Sequence, residues 1–162
     1  MTHPTYHPSE YRPAVGIVLF NKTNQAWYGR RSGHNKGPYM WQFPQGGIDA
    51  GEMPLEAAYR ELWEETGALK TQVTLMGEIK DWLYYDLPAV KQKRWRGQKQ
   101  KWFAFRFHGE ATDFDLEAHG VIEFSDWRWA PLMDAPDLIV PFKQDVYKRL
   151  TAEFSHFTHP DS

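Results

Sequence analysis

The chain has 162 residues (19.1 kDa), 41% of them hydrophobic and 25% charged, the size and composition of one packed domain rather than of a disordered chain. Nineteen Lys and Arg against 21 Asp and Glu give a net charge of -2, which excludes an overall polybasic nucleic-acid protein but leaves room for a local basic patch. Cysteine is absent, which excludes disulfides, thiolate metal sites and a cysteine nucleophile and suits a reducing, cytoplasmic setting.

Residues 1–10 are polar, carry Pro4 and Pro8 and read as a tail without the charged start and apolar stretch of a signal peptide. Residues 14–20 form the longest apolar run, a buried strand too short to cross a membrane. Asn21-Lys22-Thr23-Asn24 is a turn signal and residues 25–29 a returning strand, so the pair predicts a hairpin. Residues 34–39 read as a loop, and Trp41-Gln42-Phe43-Pro44 as a short strand ended by its proline. A helix follows over 54–66, with Pro54 at its first position and Gly67 just past its end. Residues 73–87 give one long strand or two, 100–107 another and 127–130 a short one. A second helix spans 141–154, with Phe142, Val146, Leu150 and Phe154 four apart. Residues 155–162 resemble the first tail, which leaves a single domain over 11–154 of α+β type.

The first helix carries the clearest chemical signal. Leu55, Ala58, Tyr59 and Leu62 make an apolar stripe. On another side Glu61, Glu64 and Glu65 share an arc of about 100°. Like charges three and four residues apart cost a helix about 0.2–0.5 kcal/mol each, and these also sit where the helix dipole disfavours anions. A divalent cation reverses the sign of both effects, and an oxygen-only set suits Mg²⁺ or Mn²⁺.

Those glutamates stand in a longer pattern: Gly46-x5-Glu52-x7-Arg60-Glu61-Leu62-x-Glu64-Glu65-x-Gly67. It resembles the Nudix box, departing only at the last aliphatic position, where Ala68 stands. The resemblance implies the Nudix fold, an α/β/α sandwich around a mixed β-sheet with a catalytic helix. It also implies divalent-metal hydrolysis of a nucleoside diphosphate linked to another group. By position it makes Glu61, Glu64 and Glu65 metal ligands and Arg60 the residue that orients them. Gly46 becomes a backbone that approaches the metal, and Glu52 a brace for the loop.

The rest of the chain resembles one branch of the superfamily, that of bacterial RNA pyrophosphohydrolases and dinucleoside polyphosphate hydrolases. The stretches that carry this are Tyr11-Arg12-Pro13, Trp41 to Ile48, Gly97 to Phe103, Glu123 to Trp129 and Phe142 to Tyr147. They imply a further catalytic and metal carboxylate at Glu123. They imply substrate contacts at Arg12, Arg31, Lys99, Lys101, Phe142 and Lys143, with Arg31 and Phe142 holding the first base. Lys91, Lys93, Arg94, Arg96, Lys99 and Lys101 make a local excess of positive charge that attracts phosphates. No P-loop, nucleophile elbow or His-Glu-x-x-His is present. The expected activity is therefore removal of phosphates from a 5′-triphosphate or diphosphate RNA end. Dinucleoside polyphosphate cleavage is the close rival, and a non-catalytic nucleotide-binding module, which would have lost its glutamates, ranks below both. No obligate protein partner is inferred.

Overall fold

The computed structural model describes residues 7–33 and 39–159. The predicted loop lies outside them for residues 34–38, as do residues 1–6 and 160–162 of the tails. Eight strands and three α-helices follow in chain order: β1 (Tyr11–Phe20), β2 (Ala26–Arg31), β3 (Trp41–Gln42), β4 (Gln45–Gly47), α1 (Pro54–Thr66), β5 (Val73–Glu78), β6 (Leu83–Asp86), β7 (Gly97–Phe107), β8 (Phe124–Ala130), α2 (Ala135–Leu138) and α3 (Gln144–Phe154).

β1 is the centre of the sheet. It runs parallel to β7 from Tyr11↔Gly97 to Phe20↔Arg106. Antiparallel to it lie β4, with Ala14↔Gly47, and β2, with Phe20↔Ala26. β3 and β8 extend the sheet from β2, while β5 and β6 share the far edge of β7. One parallel pair among antiparallel ones makes the sheet mixed. The β1–β2 turn is fixed by Asn21, whose Oδ1 accepts from the backbone N–H groups of Thr23 and Gln25 at 3.0 Å each.

Alternation along the central strands builds two cores. Val15, Ile17 and Leu19 of β1 and Phe103, Phe105 and Phe107 of β7 point to one face, where Ala57, Ala58 and Leu62 of α1 cover them. Val18, Phe20, Trp102 and Ala104 point to the other, under Val146, Tyr147, Leu150 and Phe154 of α3. The result is the α/β/α sandwich. Each such side chain contributes about 1.5–3 kcal/mol by leaving water. Gly16 lets the layers close: a Cβ there would sit 2.5 Å from the Trp102 indole.

α1 has the predicted bounds. Gly67 ends it at φ 81°, its N–H bonded to Trp63 O at 2.8 Å, and a Cβ there would press on the Asp115 backbone at 2.7 Å. Other elements differ from the sequence reading. β1 starts at Tyr11 because its first residues pair with β7, a contact that apolar patterning does not encode. The strand read over 41–44 covers only Trp41–Gln42, and β4, which was not expected, pairs with β1. Residues 73–87 form two strands, and β8 begins at Phe124. The helix read from 141 opens as a 3-10 turn, Pro141–Lys143, before α3. At the C-terminal tail Ser155–Thr158 adds another 3-10 turn, with the Phe157 ring 6.1 Å from Phe20 and 5.8 Å from Phe154. No helix among the described residues is long and apolar enough to cross a membrane.

Candidate active site

α1 and β4 approach each other through glycine. The backbone of Gly46 lies against the Glu61 carboxylate, so closely that a Cβ would meet its carboxyl carbon at 2.0 Å. Gly47 lies against the Arg12 guanidinium in the same way, at 2.4 Å. Side chains at these positions would push both charged groups away.

Arg60 ties this loop to the helix. Its Nε and Nη2 donate to the two carboxylate oxygens of Glu52, each at 2.8 Å, and Nη2 also donates to Gly47 O at 2.7 Å. Its Nη1 donates to Glu61 Oε1 at 2.8 Å and Glu64 Oε2 at 3.2 Å. The forked Arg60 bonds hold the Glu52 carboxyl down to about 2, against the smaller opposing effect of burial. Glu52 in turn accepts from Asp49 N–H at 3.0 Å.

The other carboxylates are not matched this way. Burial pushes Glu61 up to about 7, with the Glu64 charge adding and Arg60 opposing. Burial also pushes Glu65 well up, helped by the charges of Glu61 and Glu123; the Gln45 N–H at 3.3 Å and Lys143 oppose this. Glu64 has His119 Nε2 at 3.8 Å on its outer side.

Three chain-distant residues complete the cluster. The β2–β8 pairing sets Arg31 opposite Phe124 at a bulge, and Ser32 N–H donates to Glu123 O at 3.1 Å. That brings Arg31 and Glu123 together at the mouth of the site. Lys143, 6% exposed, ends the 3-10 turn before α3, its ammonium 5.5 Å from the Tyr85 ring. Burial lowers Lys143 to about 8, with Arg31 adding and the Glu123 and Glu65 charges opposing. Phe142 lies 5.8 Å from Tyr85.

Two expected substrate contacts lie elsewhere. Along β7, Gln98, Gln100 and Trp102 share the face of Tyr85, so Lys99 and Lys101 point to the opposite face. Their ammonium groups sit over the Trp82 ring, at 4.9 and 5.1 Å, and Lys101 also donates to Lys80 O. The structure does not bring them to the glutamates. It does bring in groups that sequence reasoning passed over. Gln45 offers its backbone N–H to Glu65, and its side-chain oxygen accepts from Gln100 Nε2 at 3.1 Å. Gln100 also accepts from Trp102 Nε1 at 3.0 Å. No spacing rule singles out these glutamines; only the fold sets them beside α1.

Among the described residues, no three His, Asp or Glu side chains are grouped so as to hold a metal ion, and Arg60 bonds oxygens of both Glu61 and Glu64. The donor chemistry nevertheless fits a hard divalent cation. Glu61, Glu64 and Glu65 offer carboxylate oxygens, and in Glu61 and Glu65 burial, with a neighbouring glutamate charge, disfavours the charged form that a cation would favour.

Comparison with known proteins gives the family of the chain. The chain is 51% identical to an RNA pyrophosphohydrolase of Caulobacter vibrioides, covering 96% of this chain and 92% of the relative. It is 46% identical to one of Agrobacterium fabrum, over 91% of this chain and 94% of the relative. The crystal structure of a C. elegans Ap4A hydrolase binary complex superposes with a TM-score of 0.61 at 22% identity, over 88% of this chain and 98% of the other, a likeness of fold. The NUDIX domain family model matches residues 10–150, and the chain belongs to that family.

Proposed function

We propose that the protein is an RNA pyrophosphohydrolase, an enzyme that breaks a phosphoric anhydride bond at a 5′-triphosphate or diphosphate RNA end and leaves a monophosphate. The observation that carries the reading is the buried, cation-deficient carboxylate set on α1, in a chain about half identical along nearly its whole length to enzymes of that name. Nudix hydrolases generally use divalent metal ions, and here the ion is Mg²⁺, with Mn²⁺ able to substitute. Bound, it neutralises phosphate charge and activates water.

Glu61, Glu64, Glu65 and Glu123, with the Gly46 carbonyl, hold the cation. Arg60 keeps Glu61 and Glu64 on one side of the helix while fixing the Glu52 loop. Lys143 and Arg31 face the phosphate chain, and the lowered proton affinity of Lys143 makes a phosphate partner its natural source of compensation. Arg12, placed by Gly47, adds a third positive group. Phe142 offers a ring to the first base. The oxygen of water forms a new bond to phosphorus and the bridging oxygen leaves with the departing phosphate. The water's proton goes to whichever glutamate is least committed to the cation. An RNA-processing role and the cysteine-free sequence support a cytoplasmic setting.

The test is a product assay on triphosphorylated RNA and on a dinucleoside tetraphosphate at matched Mg²⁺. Monophosphorylated RNA ends should form with the higher kcat/KM. Cleavage of the dinucleotide alone would overturn the RNA assignment in favour of a dinucleoside polyphosphate hydrolase.

A further inference from the structure

Between β6 and β7 the positive side chains are of two kinds. Arg96 is committed to the fold. Its Nε lies 3.0 Å from Asp86, its Nη1 lies 3.5 Å from Glu10, and its backbone N–H donates to Glu10 O at 2.9 Å. Lys91, Lys93 and Arg94 are exposed, and among the described residues no carboxylate lies within 4.0 Å of them. The Arg94 guanidinium rests 5.0 Å from the half-buried Trp95 ring. Gln92, Lys93, Arg94 and Trp95 line an open groove whose opposite wall is Ser9 and Glu10. The anchored Arg96 fixes this groove against the end of the sheet, unlike a freely solvated basic run.

The groove is joined to the active site. The Lys91 ammonium sits 5.8 Å from the Phe142 ring, and Phe142 adjoins Tyr85 and Lys143. The positive surface therefore continues from Lys143 past Phe142 and Lys91 into the groove. A dinucleoside tetraphosphate has no backbone phosphates beyond its short phosphate chain, whereas an RNA end does.

We propose that this groove is a second RNA subsite, in which the backbone phosphates downstream of the 5′ end lie on Lys91, Lys93 and Arg94 and a base packs on Trp95. The proposal rests on the reading of the protein as an RNA pyrophosphohydrolase. Positive side chains following the strand with an aromatic platform among them are what single-stranded RNA binds without sequence preference.

The test compares a 5′-triphosphorylated dinucleotide with unpaired triphosphorylated RNA of about eight nucleotides. In Lys93→Glu with Arg94→Glu, and separately in Trp95→Ala, kcat/KM on the longer RNA should fall about tenfold through KM, with kcat unchanged. The dinucleotide value should stay within about twofold. In the wild type, log(kcat/KM) should fall more steeply with log salt for the longer RNA, by about 0.7 per phosphate held. The charge-reversed variant should lose that extra slope. Both sites of reversal are exposed, and Trp95→Ala tests the aromatic part without changing charge. Equal losses on both lengths, or none on the longer RNA, would overturn the proposal. Fluorescence anisotropy with 3′-labelled RNAs of both lengths separates it from the activity. Salt-sensitive, length-dependent binding without hydrolysis would keep the groove and sink the pyrophosphohydrolase reading. Hydrolysis with no dependence on length in rate or binding would sink the groove alone.

Discussion

Two carboxylate environments meet at Arg60. Glu52 is gripped by both arms of Arg60, which holds its carboxyl at about 2, so it is charged at every physiological pH and its bonds are complete. Glu61 and Glu65 are more deeply enclosed and less well matched, and burial pushes both upward. The first environment is finished by the protein's own cation. The second is left unfinished: Arg60 gives Glu52 two N–H bonds but Glu61 only one, and Glu65 is held by a backbone N–H at 3.3 Å. One cluster thus divides into a brace that positions and a set of oxygens that waits for charge.

The largest effect should come from removing a waiting oxygen. Glu65→Gln, or Glu64→Gln, should lower kcat by about a thousandfold, several kcal/mol of transition-state stabilisation. The same change should leave metal-free thermal stability equal or slightly higher, since one repelling charge is gone. Turnover and melting in the presence of a chelator measure the two sides, and retained turnover would remove the ligand assignment. Breaking the brace should act on both sides. Arg60→Ala leaves Glu52 and the Gly47 carbonyl without their donor, and should cost about 2 kcal/mol of stability together with most activity. Arg60→Lys should recover part of the stability but little of the activity, because one ammonium cannot reproduce the fork.

pH separates the environments again. Glu61 has a folded-state pKa of about 7, above its unfolded value, and Glu65 shifts the same way. The Glu61 contribution to metal-free stability is present below about pH 4.5 and is lost as pH rises toward 7, and the Glu65 contribution is lost in the same direction. Glu52 is lowered to about 2, so its contribution is present above about pH 4.5 and is lost as pH falls toward 2. The metal-free melting temperature should drop by about 5 °C between pH 5 and 7.5 on account of the first pair. Glu65→Gln should flatten that slope, and Mg²⁺ should raise melting more at pH 7.5 than at pH 5. A metal-free melting curve that rises over this range would contradict the assignment of the two carboxylates as unmatched.

The smallest effect concerns the two lysines of β7 over Trp82. Lys99→Ala and Lys101→Ala should change kcat/KM on a dinucleoside tetraphosphate by less than about threefold, since both side chains lie over Trp82. Lys143→Ala should cost far more. Comparable losses would mean that the substrate extends to the lysines over Trp82.

The sequence by itself determined what one helical turn or one strand can encode. The bounds of α1, its apolar stripe, the shared arc of Glu61, Glu64 and Glu65, the turn at Asn21 and the core strand over 14–20 all follow from local spacing and backbone preference. The Nudix pattern added Arg60, Glu52 and Gly46 on the same stretch, where each lies within reach of its neighbours along the chain. Only the tertiary structure decided what stands across from that helix. Glu123 comes in through the pairing of β8 with β2, Lys143 through the turn that seats α3, and Gln45 through a short strand that patterning did not single out. It also set Lys99 and Lys101 over the Trp82 ring, with Lys101 beside the start of α1 and not at its glutamates. Local spacing is fixed by bonds between adjacent residues. Which distant segments meet is fixed by how a whole sheet buries its two faces, and single residues carry no mark of that.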